Sequence, residues 1–169
     1  MINLYKIPLH KDSPDIVNAI VEIPKGTSTK YEYDKDLEIF RLDRCLTSAM
    51  VYPANYGFIP NTLGADGDPL DILVYANAPI ERTTLVECRV IGVLDMDDDG
   101  DKDYKILGVP TSAVKRKTDI HQVSRLFLDV TKNFFQHYKD LSNKQVLVHD
   151  WLDREAALKI IKKDSLNAS

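Results

Sequence analysis

Apolar and polar residues alternate along much of the first half of the chain, which predicts β-strands. From Ile16 to Ile23 every second side chain is apolar, so this segment predicts a strand with one packed face. Turn-forming residues follow at 24–27, and charged and aromatic residues alternate over 30–34. This second pattern predicts another strand, and we expect the two strands to form a hairpin. Short strands and turns are expected over 41–44 and 50–60.

The second half of the chain combines longer apolar runs with helical spacing. Residues 84–94 predict a long strand, and from about Val123 to Lys139 the apolar positions recur with the spacing of one helix face. The side chains expected on that face are Leu126, Phe127, Val130, Phe134 and Tyr138. A strand is expected over 145–148, and Asp153 is expected to cap a final helix. A β-rich body with two main helices places the chain in the α+β class.

Length and composition indicate an ordinary globular protein. The 169 residues suit a single domain spanning 1–169, and 44% hydrophobic with 28% charged residues is typical of soluble domains. No apolar run is long enough to cross a membrane, and the first residues lack the pattern of a signal peptide, so we expect a cytoplasmic protein. In that compartment Cys45 and Cys88 are expected to remain free thiols.

A nucleic-acid-binding barrel is a weaker alternative for such a β-rich chain. Scattered aromatic residues and the basic triplet Lys115 to Lys117 favour it. The formal net charge of −4 argues against it, because binding to phosphate backbones requires positive surface charge. We therefore expect no nucleic-acid partner.

Three carboxylates are concentrated in the short stretch 65–72. Asp66, Asp68 and Asp71 surround Gly67 and Pro69, which together restrict the backbone to a stiff turn. Although Asp, Gly and Pro are common in turns, three carboxylates held close together repel one another unless a cation lies among them. The apolar residues that follow, as far as Tyr75, predict a buried strand that would anchor this loop. The spacing is thus suited to Mg²⁺ or Ca²⁺.

A second acidic stretch, 95–103, contains the opening of an EF-hand calcium loop. Asp95, Asp97, Asp99 and Gly100 occupy the required positions, which leaves a calcium-binding module as an alternative function. The twelfth position of the loop is Ile106 rather than the bidentate Glu, and the flanking residues resemble strands instead of helices. We therefore interpret this stretch as an acidic β-hairpin.

The pattern alone leaves the role of three charged residues in the first strands open. Glu22 lies among apolar neighbours, and Lys30 is in phase with Glu32 on the next predicted strand. These residues suit either a functional face or a solvated face with a surface ion pair.

Several motifs together resemble those of the family I soluble inorganic pyrophosphatases, in particular their short, prokaryotic-type chains. The Asp66 to Asp71 stretch matches the family signature at every position. The remaining motifs are Val21-Glu22-Ile23-Pro24, Lys30-Tyr31-Glu32, Asp43-Arg44, Tyr52-Pro53-x-Asn55-Tyr56-Gly57, Asp98, Asp103-x-Lys105 and Phe134-Phe135-x-His137-Tyr138-Lys139. The resemblance therefore extends over most of the chain.

The resemblance implies a fold and a set of site residues. The fold would be a distorted β-barrel of the oligonucleotide-binding (OB) type with the helices packed outside it. Asp68 would be the general base that activates water for in-line attack. The metal ligands would be Glu22, Asp66, Asp71, Asp98 and Asp103; the phosphate-binding residues would be Lys30, Arg44, Tyr56, Lys105, Tyr138 and Lys139; and the supporting residues would be Glu32 and Tyr52.

The same resemblance implies the cofactor, substrate and assembly. Several Mg²⁺ ions per site would act on pyrophosphate, which would be hydrolysed to two orthophosphates. Short chains of this family assemble as homohexamers, and this length resembles theirs.

Overall fold

The computed structural model describes residues 3–113, 117–142 and 144–166, and all structural statements below refer to these residues. Lys115 and Arg116 of the basic triplet lie outside the described residues. The strands are β1 Ile16–Ile23, β2 Thr29–Asp34, β3 Ile39–Cys45, β4 Asn55–Phe58, β5 Asp71–Val74, β6 Leu85–Asp98, β7 Asp101–Lys102, β8 Lys105–Pro110 and β9 Val146–Leu152. The α-helices are α1 Arg125–His137 and α2 Arg154–Asp164, and short 3₁₀ helices span Leu4–Lys6 and Ile120–Gln122.

The strands of the larger sheet close into a ring. β1 pairs with β4, β4 with β5, β5 with β8, β8 with β6, and β6 returns to β1. All of these pairs are antiparallel except the parallel pair of β5 and β8. The long strand β6 also pairs with β7 and β9 outside the ring. The prediction of an α+β fold with a distorted barrel of the OB type is confirmed.

The expected hairpin between the first two strands is wrong. β2 pairs with β3 in a separate two-stranded sheet, whereas β1 pairs with β4 and β6. Ring closure requires both edges of β1, so none remains for β2. Buried Glu22 joins the two sheets instead, because its Oε1 accepts a hydrogen bond of 2.9 Å from the backbone N–H of Tyr33.

Both helices pack on the barrel, although only part of the face expected for α1 is buried, namely Phe134 and the adjoining Tyr138. α2 begins after Asp153, whose carboxylate accepts a hydrogen bond from Ala156 N at 2.9 Å, as the sequence predicts. α1 buries Thr131, Phe134 and Phe135, and the expected face residues Leu126 and Val130 are exposed. The two adjacent phenylalanines therefore orient this helix.

The acidic stretch after β6 is a β-hairpin, as predicted. Asp97 pairs with Lys102 and Asp98 with Asp101 across the β6–β7 turn. Strands β6 and β8 flank it, so the helix pair of an EF-hand is absent from this described segment.

The thiols and helices agree with the expectations from composition. Cys45 is exposed, Cys88 is buried, and both are free. Neither α1 nor α2 in the described part of the chain is long and apolar enough to cross a membrane.

Candidate active site

One cavity of about 240 Å³ brings together all the side chains that the sequence predicts as site residues. It opens where β1, β4, β5 and β8 meet the β2–β3 sheet and the end of α1. The predicted residues on its wall are Glu22, Lys30, Glu32, Arg44, Tyr52, Tyr56, Asp66, Asp68, Asp71, Asp98, Asp103, Lys105, Tyr138 and Lys139. Residues from distant parts of the sequence thus form a single site.

The acidic loop is shaped by its own backbone. Gly67 has a φ of +86°, which side chains with a Cβ rarely adopt. Gly64 N donates to Asp68 O at 2.7 Å, and Asp68 N donates to the Asp66 carboxylate at 3.1 Å. The loop ends at Asp71, the first residue of β5, which pairs in parallel register with Lys105. This register places the Asp71 carboxylate beside the Lys105 ammonium.

Lys105 is buried between two carboxylates at the centre of the cavity. Its Nζ contacts Asp71, lies 2.5 Å from Asp103 Oδ1, and lies 3.3 Å from the Tyr56 hydroxyl. Burial by itself lowers the pKa of this ammonium, but Asp71 and Asp103 outweigh burial, and the pKa is raised. Lys105 therefore remains charged, yet it compensates only one of its two carboxylates.

The cavity disfavours the ionised form of several of its carboxyl groups. Burial raises the pKa of Glu22 to about 8, against the opposing hydrogen bond from Tyr33 N–H. Burial also raises the pKa of Asp103, and burial and then Asp66 raise that of Asp68. Asp98 Oδ1 is buried and has no hydrogen-bond partner within the described ranges. Because Glu22 is only 7% exposed, a solvated face is the wrong interpretation for this residue.

Cationic side chains and phenols line the same cavity, and several of the cations are paired with its carboxylates. Lys139 contacts Asp98, Lys30 contacts Glu32, and Arg44 Nη1 lies 2.9 Å from Asp43 Oδ2. Burial raises the pKa of the hydroxyls of Tyr52, Tyr56 and Tyr138. These hydroxyls therefore keep their protons and can donate to an anion.

The sequence analysis missed the apolar and aromatic part of the wall. The additional residues are Tyr5, Tyr33, Phe58, Pro69 and Phe135. Tyr33 alternates with charged residues on β2, and Phe58 lies between Gly57 and Ile59 at the end of β4; both positions are also typical of core side chains. Tyr5 lies on the first 3₁₀ helix and packs edge-on against Phe58 at a centroid distance of 4.9 Å. No local pattern around Tyr5 indicates this contact.

A second group of side chains able to bind a metal lies outside this cavity, where the acidic hairpin meets β9. Ligand atoms of Asp95, Asp97 and His149 lie within 4.8 Å of one another. Lys102 Nζ already contacts Asp95 at 2.8 Å and Asp97 at 2.9 Å, so one ammonium occupies the space between these carboxylates and compensates part of their charge. Asp99, the third residue of the EF-hand pattern, accepts a hydrogen bond from Gln145 N at 2.9 Å. Its carboxylate stabilises the hairpin instead of joining this group.

Comparisons with known proteins agree with the geometry. The family model described as inorganic pyrophosphatase matches residues 19–168. An inorganic pyrophosphatase of Campylobacter jejuni is 46% identical over 170 residues, which cover 96% of each chain. The crystal structure of inorganic pyrophosphatase from Thermus thermophilus superposes with a TM-score of 0.93 at 39% identity, covering 98% of this chain and 97% of that one. The Helicobacter pylori pyrophosphatase structure gives a TM-score of 0.89 at 39% identity, with 96% and 98% covered. The chain therefore belongs to the inorganic pyrophosphatase family.

Proposed function

We propose that this chain hydrolyses inorganic pyrophosphate to two orthophosphates with Mg²⁺ as cofactor. The observation that carries the proposal is the cavity whose wall combines a cluster of carboxylates with several cations and protonated phenols. Pyrophosphate hydrolysis requires both parts, because metal ions and basic side chains must neutralise the phosphate oxygens while water attacks.

The carboxylates of the cavity fit a set of hard divalent cations. Asp66, Asp71 and Asp103 would hold two ions, and Asp98 and Glu22 would help to hold further ions that arrive with the substrate. The raised pKa values of Glu22 and Asp103 and the unpartnered Asp98 oxygen fit a set of carboxyl groups whose charge a bound cation would stabilise. Bound Mg²⁺ supplies neutralisation of the phosphate oxygens and acidification of the attacking water.

Asp68 is the residue we assign as general base. Its carboxylate lines the cavity, and the pKa of this group is raised. A carboxylate with a higher pKa is a stronger base, and general bases are most effective when their pKa lies near the working pH. After burial, the negative charge of Asp66 is the largest cause of this rise in the pKa of Asp68. The loop backbone thus presents Asp68 beside the proposed metal ligands.

The remaining residues bind and orient the substrate. Phosphate oxygens would be bound by Lys30, Arg44, Tyr56, Lys105, Tyr138 and Lys139. Glu32 would orient Lys30 through their ion pair. Tyr52 would support Tyr56, since their ring centroids lie 5.5 Å apart.

The family resemblance supports three further parts of the proposal. The catalytic unit would be one domain covering residues 1–169. It would assemble as a homohexamer, and it would act in the cytoplasm with pyrophosphate as its small-molecule partner.

The direct test is phosphate release from pyrophosphate with Mg²⁺, with Ca²⁺ and without metal. We expect turnover with Mg²⁺ and little with Ca²⁺, because Ca²⁺ accepts longer, less regular coordination and would misplace the attacking water. Equal turnover with the two metals would contradict the mechanism, and no turnover under any condition would refute the function.

Replacement of the proposed base tests its role separately. Asp68→Asn keeps the size of the side chain and should lower turnover by on the order of a hundredfold or more. Folding and Mg²⁺ binding, measured by circular dichroism and calorimetry, should stay near those of the parent. Parent-like turnover would exclude Asp68 as the base.

A further inference from the structure

The two ends of the acidic loop meet at the buried side chain of Thr62, which is 2% exposed. Its hydroxyl donates a hydrogen bond to Ile59 O at 2.6 Å and accepts one from Leu70 N at 2.8 Å. Beside them, Ile59 N donates to Leu70 O at 2.8 Å. One of the two hydrogen bonds that join residues 59–62 to Leu70 therefore depends on this hydroxyl, and the same hydroxyl is held in place by Ile59 O.

Leu70 connects this hydroxyl to the proposed chemistry. It lies two residues after Asp68 and immediately before Asp71. The position of the Leu70 backbone therefore constrains the backbone of both aspartates, from which their carboxylates extend. Among residues 3–113, 117–142 and 144–166, no group donates a hydrogen bond to the Asp68 carboxylate. The backbone therefore has to orient Asp68, and Thr62 is the buried side chain that holds this backbone.

We propose that Thr62 is a positioning residue, whose hydroxyl sets the place of Asp68 relative to the metal-binding carboxylates by holding Leu70. This inference rests on the proposed function. Thr62 touches neither substrate nor metal and acts through the loop. A misplacement of about 1 Å costs on the order of a hundredfold in rate when attack must be in line, so loss of the hydroxyl should reduce kcat. The cations that bind phosphate lie on other elements, so KM for pyrophosphate should change little.

Three substitutions separate positioning from a purely structural role. Thr62→Val preserves shape and removes the hydroxyl, whereas Thr62→Ser keeps the hydroxyl. Thr131→Val is the matched control, because Thr131 is fully buried on α1 and its hydroxyl has no partner among the described residues. We expect kcat to fall at least tenfold in Thr62→Val, to stay within about threefold of the parent in Thr62→Ser, and to remain unchanged in Thr131→Val.

Two readouts are independent of turnover. The Leu70 amide should exchange with solvent hydrogen faster in Thr62→Val than in Thr62→Ser, as measured by nuclear magnetic resonance. Calorimetric titration with Mg²⁺ in the absence of substrate should show weaker binding in Thr62→Val alone. If Thr62→Val does not fold, Thr62→Cys serves instead, since its thiol is a weak donor and acceptor and should give the same changes in smaller degree.

The outcomes distinguish this inference from the proposed function. A parent protein that does not hydrolyse pyrophosphate would refute the proposed function. An active parent, together with a folded Thr62→Val protein of parent-like kcat and Mg²⁺ affinity, would overturn only the positioning role. A lower melting temperature with unchanged kcat would likewise assign Thr62 to stability alone.

Discussion

At the scale of single residues, Lys105 determines the charge balance at the centre of the cavity. One ammonium lies between Asp71 and Asp103, so this trio carries a net negative charge when both carboxylates are ionised. The same ammonium occupies the space between two of the proposed metal ligands. A metal ion would therefore compete with Lys105 for these carboxylates. Removal of either Asp71 or Asp103 would also change the environment of Lys105 and of the other carboxylate.

Asp103 and Asp97 allow a matched comparison of the two acidic regions. Asp103→Asn removes a buried carboxylate of the cavity, and we expect turnover to fall by on the order of a hundredfold, because metal charge stabilisation contributes several kcal/mol. Asp97→Asn removes a charge on the hairpin that contacts Lys102 and His149. Its field is screened at physiological ionic strength, so turnover should stay within a few-fold of the parent.

Steady-state kinetics across a Mg²⁺ titration measures both variants of this pair. An active Asp103→Asn beside an inactive Asp97→Asn would reverse the assignment of the two acidic regions. It would favour the hairpin as the functional metal site.

Glu22 should make the stability of the metal-free protein depend on pH. Burial raises its pKa from the ordinary 4.5 to about 8 in the folded protein. For a raised folded-state pKa, the stabilising contribution is complete below pH 4.5 and is lost as the pH rises toward 8. Glu22→Gln keeps an acceptor for Tyr33 N–H and removes the titration. This variant should exceed the parent in free energy of unfolding by about a few kcal/mol at pH 8.5, and by much less at pH 5.

Urea denaturation in the presence of a chelator, at both pH values, measures this effect of Glu22. Asp68 and Asp103 also have raised pKa values, but they titrate in both proteins and cancel in the comparison. The same difference between parent and variant at pH 5 and pH 8.5 would show that Glu22 is not the source.

The sequence was sufficient to name charged residues that the fold brings into one cavity, and it was insufficient for the rest of the cavity wall. Asp66, Asp68 and Asp71 occur in a signature whose spacing is chemically distinctive. Phe58 and Phe135, by contrast, follow the same patterns as core residues, so their position on the wall is decided by tertiary packing. Tyr5 lies outside residues 19–168, which match the family model, and its place emerges only from the fold.

At the scale of elements, the barrel depends on close contact between β1 and β4. Gly57 of β4 pairs with Val21, and a Cβ at this position would lie 1.8 Å from the carbonyl oxygen of Ile20. Neither strand can move aside without opening the ring. Glycine is therefore required at position 57 because the two backbones approach closely. At Gly100 there is open space, and glycine is favoured because the φ of +93° is one that other residues rarely adopt.

Gly57→Ala should consequently destabilise the fold more than Gly100→Ala. We expect a loss of about 3 kcal/mol or more at Gly57, since a backbone clash cannot be relieved by a rotamer change. At Gly100 the left-handed conformation should cost only about 1–2 kcal/mol. Urea denaturation of both variants provides the comparison, and equal losses would show that the strands separate easily.

Alternation along a strand indicates which side chains share a face, but it does not indicate which strands pair. For this reason the boundaries of β1 were predicted correctly, whereas its partner was not. The helical spacing of α1 had a similar limit. It located the helix, but the buried face was decided by Thr131, Phe134 and Phe135.

At the scale of the whole molecule, ring closure assembles the site. Glu22 lies on β1, Asp71 on β5, Asp98 on β6, and Lys139 follows α1 after Tyr138, yet all four line one cavity. Because the strands that carry them are neighbours only in the closed barrel, a partly folded chain would not present the carboxylates together. Metal binding and folding of the barrel are therefore expected to be coupled.

The outer surface of α1 carries two neighbouring apolar side chains that are suited to a subunit interface. Leu126 is 72% exposed and Val130 is 48% exposed, and the two lie one helical turn apart. Adjacent large apolar side chains on a surface favour an interface. If this stripe contributes to the proposed homohexamer, Leu126→Lys combined with Val130→Lys should lower the mass measured by light scattering, because burial of two ammonium groups in an apolar contact is costly.

Leu37→Lys is the matched control for the assembly experiment, since Leu37 is 60% exposed in the turn between β2 and β3. This control should retain the mass of the parent, and circular dichroism should show that all variants are folded. A parent that is monomeric would refute the assembly proposal. A hexameric parent whose α1 double variant keeps the same mass would place the interface elsewhere on the molecule.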